Sequence, residues 1–95
     1  MSTKEDIVLE IARAIGLKMP PPMSTGSTEP KAIFIAVNEE LGLGLENRST
    51  KPELARGIVE SAGRDWSLDC ESRGGTVTKS GLLEVLEAVK FFTKR

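Results

Sequence analysis

The side chains best suited to chemistry in this sequence lie in Ser72-Arg-Gly-Gly-Thr-Val-Thr-Lys-Ser-Gly81. Arg73 and Lys79 are cations, Thr78 and Ser80 carry hydroxyls, and Gly74 and Gly75 let backbone N–H groups come close to a ligand. A helix beginning at this point would add unpaired N–H groups and a partial positive charge, the combination that holds phosphate. Arg48, Ser49, Thr50 and Lys51 repeat the ingredients with less glycine. Two such helix starts on one face would grip a nucleic-acid backbone, which is contacted by hydroxyls, cations and helix N-termini together. The plainer alternative is that Gly74-Gly75 makes a turn and Thr78 or Ser80 only caps a helix.

Other chemistries find no residues to carry them. The chain has no histidine, hence no imidazole base, no histidine-assisted nucleophile and no histidine metal ligand. Cys70 is the single cysteine, which excludes a cysteine-cluster zinc site within one chain and an internal disulfide. Its ordinary role is that of a small buried hydrophobe. Asp65, Asp69 and Glu71 offer oxygen ligands without the glycine and glutamate of a calcium loop. Gly42-Leu-Gly44 is not continued into a dinucleotide fingerprint. The expectation is a chain that is not an enzyme and uses no metal or cofactor.

The elements that must position these residues read as four helices. Thr3 caps the first, with Ile7, Val8, Ile11, Ala14 and Ile15 as its apolar stripe and Gly16 as its stop. Three prolines in Met19-Pro-Pro-Pro-Met23 make 19–27 an extended connector. The second helix starts at Thr28 with Pro30 in its first turn, buries Ile33, Phe34, Val37 and Leu41, and ends at Gly42 and Gly44. Thr50-Lys-Pro-Glu53 is a capping box for the third, whose stripe is Leu54, Ala55, Ile58, Val59 and Ala62. In 64–78, Trp66, Leu68 and Cys70 alternate with polar residues, which predicts a short β-hairpin or ordered loop anchored by a buried Trp66. Leu82, Val85, Leu86, Val89 and Phe92 are spaced for burial on a final helix. Ser27-Thr-Glu-Pro-Lys31 and Ser49-Thr-Lys-Pro-Glu53, 22 residues apart, are the same helix-start solution used twice.

Ninety-five residues allow one domain with a single, largely aliphatic core. No apolar run approaches the roughly 20 residues of a membrane span. With no signal-like start and one cysteine, the expected location is cytoplasmic. The net charge of −1 divides unevenly: residues 1–47 hold four Lys/Arg against seven Asp/Glu, and residues 48–95 hold nine against seven. A dedicated nucleic-acid binder is usually more basic, so any anion contact must be local.

From Thr50-Lys-Pro-Glu-Leu-Ala55 through the Trp66 stretch to Thr76-Val-Thr-Lys-Ser-Gly-Leu-Leu83, the sequence resembles winged-helix DNA-binding domains. It also resembles the small helical accessory domains carried by restriction endonucleases. The resemblance covers about residues 48–92 and implies a third helix in the major groove with a hairpin on the backbone. Arg56 and Glu60 on the outer face of helix three read base edges poorly, and Asp69 and Glu71 flank Arg73 on the wing. The resulting expectation is a mainly α, winged-helix-like domain acting as a non-catalytic nucleic-acid-binding or targeting module within a larger protein or complex. It would contact phosphates through residues 48–51, 73–75 and 78–80. The rival is a protein–protein interaction domain docking through Phe91-Phe92 and the Met19–Met23 connector.

Overall fold

The computed structural model describes residues 3–18, 29–72 and 74–94. Four helices follow one another: α1 (Lys4–Ala14), α2 (Lys31–Leu41), α3 (Lys51–Ser61) and α4 (Lys79–Thr93). Their starts are set locally. Thr3 and Asp6 form a reciprocal capping box on α1, and Thr50 and Glu53 form another on α3. Each box satisfies orphan backbone donors that would otherwise need water. The first turn of α2 has Pro30 at the cap position and no side-chain cap, while Thr28 lies outside the described residues. Gly42, in the left-handed region at φ 62°, ends α2, a conformation that costs glycine nothing.

The longest helix, α4, lies against both α1 and α3. This accounts for its wide buried face: Gly81, Leu82, Val85, Leu86, Ala88 and Val89 cover more than the narrow stripe one neighbour would require. Ile7, Val8 and Ile11 of α1, Ile33, Phe34 and Val37 of α2, and Leu54, Ile58 and Val59 of α3 complete the core. Gly81 is needed for space. A Cβ there would stand 2.3 Å from the Cys70 carbonyl oxygen and 2.5 Å from Val77 Cγ1.

Of the two alternatives for 64–78, a β-hairpin or an ordered loop, the described residues form no hairpin. A 3₁₀ turn (Leu68–Cys70) is followed by one antiparallel bridge, Glu71 to Val77, and no strand. The described residues therefore contain no paired-strand wing. The turn also breaks the period-2 alternation read at Trp66, Leu68 and Cys70, because residues in a 3₁₀ turn advance by a third of a rotation each. Of these three, only Cys70 is buried. Leu68 is 87% exposed, and Trp66 is half-buried rather than enclosed, its indole N–H donating to Glu71 Oε2 at 3.2 Å. Phe92 and Ala62, placed on buried stripes by their spacing, are half-buried at the ends of their helices.

Candidate functional site

Glu29, two residues ahead of α2, is fully buried although it is a carboxylate. Its Oε2 accepts the Val77 N–H at 2.7 Å, and its Oε1 accepts from Lys4 Nζ at 3.1 Å. Lys51 Nζ lies 3.5 Å from Oε2 and donates to the Glu29 carbonyl at 3.0 Å. Lys4 is the first residue of α1, Lys51 the first of α3, and Val77 stands two residues before α4. The approaches to all four helices thus meet at one carboxylate. Helix starts carry partial positive charge, so an anion is the group they favour there.

The two stretches singled out by sequence for phosphate do come together, through Lys51 and Val77, and the anion between them is the protein's own Glu29. Several groups are thereby engaged internally. The Thr50 hydroxyl accepts the Glu53 N–H at 3.4 Å and donates to Glu53 Oε1 at 3.0 Å. The Thr50 N–H donates to the same carboxylate at 2.9 Å. This backbone donor first, and the hydroxyl second, hold the Glu53 carboxyl below its ordinary range, with Lys31 adding a further pull. Thr78 caps α4, its hydroxyl accepting the Gly81 N–H at 3.2 Å and donating to the Asp69 carbonyl. Arg48, Gly74, Gly75, Lys79 and Ser80 are exposed, Ser49 is half-buried, and Arg73 lies outside the described residues.

No family model, curated protein or solved structure matches this chain. Its surfaces must therefore be read from their own chemistry. Among the described residues no group of three or more His, Cys, Asp or Glu could hold a metal ion. None of the described helices is long and apolar enough to cross a membrane. A shallow groove between α1 and α4 is lined by Glu10, Arg13, Ala14, Leu86 and Lys90, and another is lined by Glu46, Asn47 and Arg48.

The solvent face of α4 differs from both. Phe91 is 58% exposed and Leu83 42% exposed. The Phe91 ring meets Phe92 edge-on, with centroids 5.6 Å apart. Lys79 and Lys90 of this helix, and Lys94 just after it, are also exposed. Lys90 pairs with Glu87 at 3.6 Å in the solvent, and Glu84 is held by Arg64 at 2.9 Å. Hydrogen bonding to Glu84, then its charge, raises the Arg64 pKa above its ordinary value.

Sequence reasoning did not single out Glu29 or Asn38 as buried polar groups. Asn38 pins the chain after α2, accepting the Leu45 N–H and donating to the Leu45 carbonyl, both at 2.8 Å. One signal for Glu29 was present. In the repeated helix starts Glu29 and Lys51 occupy equivalent positions with opposite charge, as do Lys31 and Glu53. The first pair is in contact, and Lys31 acts electrostatically on Glu53.

Proposed function

We propose that this domain is a non-catalytic interaction module that docks a protein partner on the solvent face of α4. The observation that carries this reading is the exposure of Phe91, an aromatic side chain more than half in water on a helix whose opposite face is fully packed. Rigid aromatic side chains are the usual anchors of interfaces, and positive charge around one favours an acidic partner surface. Site-specific photo-crosslinking from position 91, followed by reconstitution with the purified adduct protein, tests it. Phe91→Ala should weaken that complex more than tenfold, about 1.4 kcal/mol or more. An equal affinity for wild type and Phe91→Ala would rule the reading out.

A second reading keeps nucleic acid as the partner. It is favoured by the exposure of Lys79 and Ser80 in the first turn of α4, beside Gly74 and Gly75. Thr50, Lys51 and Thr78 play supporting roles at most in this reading, because their polar groups already have internal partners. Contact limited to phosphates would be weak, around 10⁻⁴–10⁻⁶ M, and steeply dependent on salt. A duplex-DNA titration followed by amide shifts at low salt separates the two. Movement at Gly74, Gly75, Lys79 and Ser80 selects nucleic acid, and their silence leaves the α4 docking face.

A further inference from the structure

Independently of any partner, the buried carboxylate has a role of its own. We infer that Glu29 is an ionic lock that selects one arrangement of the four helix starts. Taking a carboxylate out of water carries a large cost, which pairing offsets only when the geometry is good and the remaining hydrogen-bonding positions are filled. An apolar side chain of similar volume would avoid that cost. It would also be non-directional, and would tolerate sliding or rotation of the helix starts around it.

The carboxylate does not tolerate such movement. It is satisfied only when Lys4 of α1, Lys51 of α3 and the Val77 N–H ahead of α4 arrive together, at 3.1, 3.5 and 2.7 Å. These partners are 25, 22 and 48 residues away in sequence, so no local structure can supply them. The second Lys51 bond, to the Glu29 carbonyl at 3.0 Å, ties the backbone leading into α2 to the same point. No buried side-chain polar atom among the described residues lacks a partner. A competing packing would leave a buried charge unpaired, and this penalty separates the native arrangement from its neighbours.

The test replaces the three charged side chains at once, with Glu29→Met, Lys4→Leu and Lys51→Leu in the full chain. Because the Val77 N–H then loses its acceptor, the lock predicts a urea midpoint lower than wild type by no more than in Glu29→Met alone, together with loss of the single set of amide resonances and gain of binding to a hydrophobic dye. One sharp set of resonances with wild-type contacts between the helix starts would overturn it. A midpoint below that of Glu29→Met alone would overturn it as well, since the two lysines would then be supplying stability without the carboxylate. Hydrogen exchange in wild type gives a second reading. The Val77 amide should exchange as slowly as those of Val85 and Val89, released only by global unfolding. Exchange at Val77 a hundredfold faster would show that the contact opens by itself and locks nothing.

Discussion

The helix-start cluster and the solvent face of α4 invert the usual placement of side chains. The cluster puts a carboxylate where apolar groups belong, and every atom of it is satisfied by a distant partner. The α4 face leaves Phe91 58% and Leu83 42% exposed among the described residues. The two oddities therefore have different meanings. A buried charge with its partners in place answers to the fold, whereas the exposed aromatic ring is the feature on which the proposed docking rests. Cations divide in the same way: Lys4 and Lys51 neutralise Glu29, and Lys79 and Lys94 face solvent.

Substitutions can break this contrast, and the largest effect should come from the cluster. Lys4→Met combined with Lys51→Met leaves Glu29 with the Val77 N–H alone. Stranding a buried charge costs about 3–5 kcal/mol, a large share of a small domain's stability, measurable by urea unfolding. Removing the carboxylate instead should be milder, because both lysine side chains are partly exposed, 27% and 20%, and can turn to water. Glu29→Ala should then recover stability in acetate relative to chloride, with wild type as the control, as the added carboxylate takes the vacated position.

Gly81→Ala comes next. A gain of about 1 kcal/mol in helix propensity is set against a Cβ 2.3 Å from a backbone oxygen. Overpacking of this kind costs roughly 1–3 kcal/mol, so the steric term wins and the urea midpoint should fall. Thr50→Ala removes the capping box of α3 and should cost roughly 0.5–2 kcal/mol. That box also carries a pH signature. Glu53 has a lowered carboxyl pKa in the folded protein, so its contribution is complete above the unfolded value and disappears as pH falls through the folded one. The difference in urea midpoint between wild type and Glu53→Gln should therefore narrow as pH is lowered below the ordinary carboxylate range. At the smallest end, Leu83→Ala and Phe91→Ala should change stability by no more than about 0.5 kcal/mol, as for surface positions generally. A larger loss would mean that the α4 face belongs to the core.

The sequence made the helices legible because their signals are local. Thr3 and Thr50 cap the helices that their spacing assigns them, Thr78 rather than Ser80 caps α4, and the apolar stripes of α1, α3 and α4 are buried over most of their length. For the segment 64–78 a hairpin and an ordered loop stay equally open in the sequence, because an alternation of apolar and polar residues does not distinguish a strand from a 3₁₀ turn, and Leu68 faces water as a result. Glu29 was hidden for the opposite reason. Its partners are supplied by tertiary structure, and the charge reversal between the two repeated helix starts points to Lys51 alone, not to Lys4 or Val77. The cations and hydroxyls within 48–51 and 73–80 suggest an anion, with no local sign that one was already part of the chain.

The claim that Glu29 couples the helix starts is tested most directly by a double-mutant cycle in urea between Glu29→Gln and Lys51→Met. Residues in direct contact within one network show coupling energies of about 0.5–3 kcal/mol, and the account predicts at least about 1 kcal/mol here. Additive effects, within about 0.3–0.5 kcal/mol, would contradict it, because the carboxylate and the lysine would then be contributing independently.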